Sequence, residues 1–174
     1  VRMADFGIIG MTEPQYDPNR CVACEQCIKY CKKRSVDALS LVNGKIVRDT
    51  KKCIGCGVCI TYCPTRAWTR SKEHYFRLVI LGRTGKRNPR LAEDFIKWCD
   101  EESILKIAAN TYAYIEEYID PEAVENKEHI GYIVDRTGFE KFKEYIFRDV
   151  SLSEKAEVAQ EVYWGGKHYD RYGG

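Results

Sequence analysis

The sequence has no run approaching the roughly 18 uncharged apolar residues of a membrane-spanning helix, so no membrane span is expected. It shows no charged start leading into an apolar stretch, and nothing in it reads as a secretory signal. Net charge is small: 28 basic side chains against 26 acidic ones leave +2, which argues against a dedicated nucleic-acid binder. Histidine is scarce, and His74, His129 and His168 stand apart in the chain, each reading as structural rather than as a ligand. What is present suffices for one ordinary domain or two small ones. The 174 residues are 44% apolar and 31% charged, so the chain can bury a core and is not disordered. Cysteine is unusually frequent, with nine copies, eight of them within residues 21–63.

Without a secretory signal, such a cluster points to metal ligands rather than disulfides. The first group reads Cys21-Val-Ala-Cys24-Glu-Gln-Cys27-Ile-Lys-Tyr-Cys31 and the second Cys53-Ile-Gly-Cys56-Gly-Val-Cys59-Ile-Thr-Tyr-Cys63-Pro64. Both are C-x2-C-x2-C-x3-C, the run that holds two [4Fe–4S] clusters in bacterial-type ferredoxins. Each cube has four irons and takes one thiolate at each. Three cysteines at x2 intervals wrap one cube, and the fourth, a helical turn further on, points to the other cube. The crossed assignment is therefore Cys21, Cys24, Cys27 and Cys63 for one cluster, and Cys53, Cys56, Cys59 and Cys31 for the second. Zinc needs two CxxC pairs and has no use for the third cysteine at x2 or the fourth at x3.

The two groups form an internal repeat offset by 32 residues, with six of eleven positions identical: the four cysteines, Ile28/Ile60 and Tyr30/Tyr62. The pairing continues to Arg34/Arg66 and Val36/Trp68. Each half reads as loop, short helix and short strand. A strand over Ala38–Val42, the turn Asn43-Gly44 and a return strand over Lys45–Arg48 make a hairpin. Ile28, Ile54, Val58, Ile60 and the two tyrosines would keep water from the clusters, with an electron-relay role for the tyrosines as the alternative. Gly55 and Gly57 suit close backbone approach. Lys32 stands where the second group has Pro64. Lys29, Lys32, Lys33 and Arg34 thus form a basic patch, read either as a solvated helix end or as a surface for an acidic partner or a reduced cluster.

Around this unit, Asp5–Met11 and His74–Leu81 read as strands that flank it as if it were inserted between them. A loop follows over 82–90, then a helix from Pro89 to about Asp100 with Leu91, Phe95 and Trp98 on one face. A longer helix runs from about Glu102 to Ile119, with Ile104, Leu105, Ala108, Tyr112 and Ile115 inward and Asp120-Pro121 as its stop. Helical stretches over about Lys127–Asp135 and Phe139–Phe147 come next. From Ser151 the tail is polar, then Tyr- and Gly-rich, without a core pattern, as for a segment that wraps a partner. Cys99 reads as a buried thiol. Asp120 with Glu122, and Glu116 with Glu117, read as a helix end and a solvated face. The loop is too short for a P-loop and has Arg87 where that motif needs Ser or Thr. It nevertheless gathers Arg83, Lys86, Arg87 and Arg90 as candidate contacts for an anionic group or partner, with a solvated basic loop as the alternative.

The stretches Leu81-Gly-Arg-Thr-Gly-Lys-Arg-Asn-Pro-Arg-Leu-Ala-Glu93 and Glu128-His-Ile-Gly-Tyr-Ile-Val-Asp-Arg-Thr-Gly-Phe139, together with the order strand, ferredoxin unit, strand, resemble the C-terminal part of siroheme-containing sulfite and nitrite reductases. The resemblance is to the anaerobic and dissimilatory type and covers about residues 4–148. It implies an α+β fold: a 2[4Fe-4S] bacterial ferredoxin-like domain inserted between strands of an α/β siroheme-reductase-like domain. The segments would be 1–11, a strand of the reductase-like domain; 12–72, the ferredoxin-like domain; 73–150, the helical remainder; and 151–174, the tail. In such enzymes the inserted ferredoxin passes electrons to a siroheme-coupled [4Fe–4S] cluster, where sulfite is reduced. That third cluster needs a further C-x5-C and C-x3-C set. Cys21 with Cys27 and Cys59 with Cys63 match it formally, but would strand Cys24, Cys31, Cys53 and Cys56. Only Cys99 is left over, so siroheme requires additional sequence or a partner. The start at Val1 fits a portion of a longer reductase. Expected partners are an electron-donor protein and the rest of the reductase or a siroheme subunit, with no nucleic acid. Oxygen-labile clusters suit a reducing cytoplasm. The alternative is a stand-alone ferredoxin-type carrier without substrate chemistry.

Overall fold

A computed structural model describes residues 4–83, 90–124, 128–160 and 162. The chain divides into two compact units: Gly10–Tyr75, and a second drawn from Val1–Ile9 and Phe76–Gly174.

The unit over Gly10–Tyr75 contains β2 (Pro14–Tyr16), a 3-10 turn (Pro18–Arg20), α1 (Gln26–Lys33), β3 (Leu39–Val42), β4 (Lys45–Arg48), α2 (Val58–Thr61) and β5 (Trp68–Arg70). Strands β2 and β5 pair antiparallel, with Tyr16 opposite Trp68, so the two ends of the unit are stitched together. Strands β3 and β4 form the hairpin, with Val42 opposite Lys45. Asn43 and Gly44 between them take φ of 50° and 75°, the positive pair that a two-residue type I′ turn demands.

The 32-residue repeat is visible in the backbone. Ala23 (φ 52°) matches Gly55 (φ 60°), and Glu25 (φ 56°) matches Gly57 (φ 69°), immediately before each helix. The second half fills these left-handed positions with glycine. The first fills them with residues for which the same conformation costs about 1–2 kcal/mol each, so surrounding contacts must hold them there. The buried side chains of this unit include Cys27, Cys31, Cys53 and Cys59 beside Ile28, Leu39, Ile46, Val58 and Trp68. A core so rich in thiols has few aliphatic groups of its own.

The other unit is built on a sheet ordered β1-β6-β7-β8, from β1 (Phe6–Met11), β6 (Tyr75–Ile80), β7 (Glu93–Cys99) and β8 (Glu157–Val158). Strands β6 and β7 run antiparallel, with Ile80 opposite Glu93 and Phe76 opposite Cys99. The helix expected from Pro89 to Asp100 is therefore replaced, over Glu93–Cys99, by a strand. Leu91, Phe95 and Trp98 mimic helical spacing, but Ile96 and Cys99 are buried as well. A strand paired on both edges and covered on both faces buries adjacent residues, which a one-sided helix does not.

Helix α3 (Glu101–Tyr118) begins immediately after, capped by Asp100, whose carboxylate accepts from the Ser103 amide at 2.8 Å and the Ser103 hydroxyl at 3.0 Å. Asp100→Ala is expected to lower stability by about 1 kcal/mol, read as a shift of the denaturant midpoint at unchanged slope. The inward stripe of α3 is Ile104, Ile107, Thr111 and Tyr114, whereas Leu105 and Tyr112, expected inside, are 61% and 71% exposed. The helix carries two apolar stripes. The buried one tolerates Thr111 because its hydroxyl donates to the Ile107 carbonyl at 2.8 Å.

Helices α4 (Ile130–Thr137) and α5 (Phe139–Ile146) complete the core, with Tyr114 at its centre, 5.0 Å from the Phe142 ring and 5.5 Å from the Tyr145 ring. The start of the expected Lys127–Asp135 helix falls on residues 125–127, outside the described set. The tail departs from its expected lack of a core pattern. Leu152, Val158, Ala159 and Val162 pack on the hydrophobic cluster, because β8 adds to the edge of β7 with Val158 opposite Ile96. His129 is structural, with Nδ1 bonded to Asp5 Oδ2 at 2.6 Å; His74 is exposed, and His168 lies outside the described residues. No described helix is long and apolar enough to cross a membrane.

Candidate metal centre

Each cysteine run is a loop that turns into a helix, and the left-handed residues in its first and second gaps bend the chain back on itself. The result is the same exposure at the second and third cysteines of both halves. Cys24 and Cys56, in the middle of their loops, are exposed; Cys27 and Cys59, on the first turns of α1 and α2, are buried. Cys31 lies one turn beyond Cys27 on the same face of α1, also buried, while Cys63 follows α2 and is half-buried. All eight thiols are free of disulfides.

Backbone amides converge on these sulfurs. The Ala23 amide donates to Cys21 Sγ at 3.4 Å, Ala38 to Cys31 Sγ at 3.3 Å, and Ala67 to Cys63 Sγ at 3.2 Å. Burial alone would raise Cys63, but the amides of Trp68 and Ala67 and the Thr65 hydroxyl bring it below its ordinary value. Burial pushes Cys59 up to about 12, with Cys53 and Cys56 adding to the effect. Cys31 is raised by burial and then by Cys56 and Cys53; Cys27 is raised by burial and then by Cys63 and Cys21. The thiols thus influence one another mainly in two sets, Cys21, Cys27 and Cys63 against Cys31, Cys53, Cys56 and Cys59, with a lesser effect of Cys27 on Cys59. Each set contains a member of the other run.

A small cavity repeats the second set. Its walls carry Cys31, Cys53, Cys56 and Cys59, and none of the other four thiols of the repeat, together with Pro14, Val36, Leu39, Val58 and Arg48. Gly55 closes one side. A Cβ there would stand 2.9 Å from Met11 Cβ, and the Gly55 carbonyl accepts from the Thr12 amide at 2.7 Å. Among the described residues, no group of three or more His, Cys, Asp and Glu side chains is arranged to hold a single metal ion.

Three neighbours escape the cysteine pattern. Arg48, at the end of β4, donates toward Cys53 Sγ at 3.9 Å. Trp68 is buried, with an indole N–H that finds no partner within bonding distance yet lies close enough to favour ionised Cys27. Tyr16 packs on Trp68 at 4.6 Å between ring centroids and accepts the Ile46 amide at 3.2 Å. Only their positions beside the runs could have flagged them. Ile28 and Val58 are buried as expected of shielding groups, while Ile54 and Ile60 are half-buried. Tyr30 and Tyr62, equivalent in the repeat, stack at 3.5 Å with 9° between planes, a packing contact between the halves. Lys29, Lys32, Lys33 and Arg34 are all exposed.

In the other unit, Arg83 and Arg90 are brought together and buried, their backbones exchanging hydrogen bonds of 2.9 and 3.0 Å. Arg83 lies over the Tyr132 ring at 4.5 Å, and Arg90 approaches Asp135 at 3.9 Å. Burial, and then Arg83 beside it, hold the Arg90 guanidinium below its ordinary value. Lys86 and Arg87 lie outside the described residues. Cys99, fully buried in β7 and pushed up to about 12 by burial, takes no part in the cysteine cluster.

Known proteins share this sequence pattern and this fold. Residues 1–155 match the model for the nitrite and sulphite reductase 4Fe-4S domain. An anaerobic sulfite reductase subunit of Salmonella typhimurium is 40% identical over 162 residues, which cover 93% of this chain and 48% of that protein. Its counterpart in Salmonella typhi matches to the same extent. The chain therefore spans about half the length of these curated relatives. In fold, it is similar to the crystal structure of dissimilatory sulfite reductase I, with a TM-score of 0.57 at 14% identity over 95% of this chain and 43% of that one. A free-thiol repeat under amide donors, a mixed helix and strand fold and 40% identity to the two Salmonella proteins agree: the chain belongs to the nitrite and sulphite reductase 4Fe-4S domain family, the iron–sulfur proteins of sulfite reductase type.

Proposed function

We propose that this chain is the electron-input portion of a siroheme sulfite reductase, carrying two [4Fe–4S] clusters on a ferredoxin-like domain over residues 12–72. The flanking segments 1–11 and 73–150 would then belong to the reductase-like domain, with 151–174 as its tail. Cys21, Cys24, Cys27 and Cys63 would hold one cluster, and Cys53, Cys56, Cys59 and Cys31 the other. The observation that carries this reading is the cavity whose walls take Cys31 from the first run and three cysteines from the second. A cube spreads its thiolates over four irons, whereas zinc gathers four ligands around one centre.

Bound there, a [4Fe–4S] cluster supplies reversible one-electron storage. The chain's own part is to fix the thiolates, to direct the amides of Ala23, Ala38 and Ala67 at their sulfurs, and to keep water away with Ile28 and Val58. Amide donors favour the more negative, reduced state. With eight cysteines assigned and Cys99 sealed in the sheet, siroheme and its coupled cluster would come from further sequence or a partner subunit. Arg83 and Arg90 are the proposed contact for an anionic group of that partner or its cofactor. Sulfite as substrate, a donor protein and a cytoplasmic setting belong to the same proposal.

The test is an anaerobic reductive titration followed in the visible region. The chain is expected to bleach a broad iron–sulfur absorption on taking up two electrons, one per cluster. Uptake of one electron, or no bleaching, contradicts it.

A further inference from the structure

The internal repeat makes the two halves comparable position by position, and at one position they differ in charge. Arg48 stands five residues before Cys53, the first cysteine of its run. Tyr16 stands five residues before Cys21, the first cysteine of the other. Arg48 Nη1 lies 3.9 Å from Cys53 Sγ, and the Tyr16 phenol stands near Cys21, with its hydroxyl accepting the Ile46 amide at 3.2 Å. Equivalent sites therefore present a permanent cation to one thiolate and a neutral phenol to the other.

The cation is held in place. Arg48 Nη2 approaches Glu13 Oε1 at 3.7 Å, and the two side chains are only 17% and 21% exposed, so water screens them weakly. The chain from Arg48 to Cys53 is fixed by Asp49, whose carboxylate accepts the Lys51 amide at 2.9 Å and the Lys52 amide at 3.2 Å. The Asp49 carbonyl accepts the Cys53 amide at 3.1 Å. Guanidinium cannot release its proton under these conditions.

We propose that Arg48, positioned by Glu13, makes the two redox centres inequivalent, so that the centre held by Cys31, Cys53, Cys56 and Cys59 is reduced at a more positive potential than its repeat-related twin. This inference rests on the two-cluster reading above. Reduction adds one negative charge to a thiolate-bound centre. A fixed cation beside one of its sulfurs stabilises that state, and a phenol does so less. Electrons arriving at the pair would settle preferentially on the Arg48 side, which gives transfer through the chain a direction.

The experiment is a potentiometric titration of the anaerobically purified protein followed by electron paramagnetic resonance, with iron analysis on each sample. Arg48→Gln is expected to keep full iron and to lower one midpoint, with the equilibrium constant for reduction falling about tenfold, or about 59 mV for a one-electron couple. The other midpoint stays put. Tyr16→Arg, which places the same cation at the repeat-related position and leaves every cysteine in place, is expected to move the other midpoint upward. Its sign decides the matter alone if Arg48→Gln fails to load iron. Unmoved midpoints, or equal shifts at both centres, overturn the proposal. Wild-type protein lacking eight irons overturns the two-cluster reading beneath it, whereas eight irons with unmoved midpoints overturn this inference only.

Discussion

Cys56→Ala is expected to halve the iron content of the chain and to reduce its electron uptake from two per chain to one. Cys56 is exposed, so the substitution disturbs no aliphatic packing, but it removes one wall of the cavity shared with Cys31, Cys53 and Cys59. A cube lacking one protein thiolate in a protein with so few other buried groups at the site has little left to hold it. Ligand binding to the folded state is folding free energy, so the loss also loosens the surrounding unit.

The same variant tests the crossing of the ligands. Adding Cys31→Ala to Cys56→Ala is expected to cost no further iron, because both residues serve one centre. Adding Cys24→Ala instead is expected to remove the rest. If each run held its own cluster, Cys31→Ala with Cys24→Ala would leave half the iron in place. Under the crossed assignment that pair leaves none. Iron analysis on these three double variants separates the two arrangements without reference to turnover.

Gly55→Ala is expected to be the most destabilising single methyl in the cysteine-bearing unit. At φ 60° the new Cβ sits in a conformation that costs about 1–2 kcal/mol for an L-residue. It also meets Met11 Cβ at 2.9 Å and the Thr12 amide nitrogen at 3.2 Å, so the backbone must move, at a further cost of about 1–3 kcal/mol. Together these come to about 3 kcal/mol. Gly57→Ala is the internal control. Its φ is 69°, yet the nearest atom to a Cβ is Thr12 Cβ at 3.7 Å, ordinary contact. It should therefore show the backbone cost alone, about 1–2 kcal/mol. Anaerobic denaturation midpoints of the two variants measure the difference. Equal shifts would mean that the approach of Met11 is absorbed without strain.

How much of the fold is legible in the sequence depends on how local each signal is. The hairpin over residues 39–48 is legible because Asn43-Gly44 specifies its own turn between two short alternating strands. The repeat is legible because cysteine has no other reason to recur at these intervals. The strand Glu93–Cys99 is not, since Leu91, Phe95 and Trp98 fit a helix and only burial on both faces by the neighbouring strands distinguishes the two. The inward face of α3 misleads for a related reason. Leu105 and Tyr112 are better apolar residues than Ser103 and Thr111, and it is hydrogen bonds to the Ser151 and Ile107 carbonyls that let the polar pair go inside. The tail reads as polar because its packed residues, Leu152, Val158 and Val162, are spaced for an edge contact rather than for a helix or a long strand.

At the candidate metal centre, the thiols are readable and their surroundings are not. The residue types of Arg48, Trp68 and Tyr16 do not announce that they stand beside Cys53, Cys27 and Cys21. Their closeness arises from β4 and β5 returning beside the loops, which is a property of the pairing of β2 with β5 and β3 with β4 rather than of any motif.

The measurement to make is the iron and acid-labile sulfide content of the protein purified without oxygen. Two [4Fe–4S] clusters predict about eight iron and eight sulfide per chain. Four of each, or zinc with no labile sulfide, would contradict the two-cluster electron-input reading.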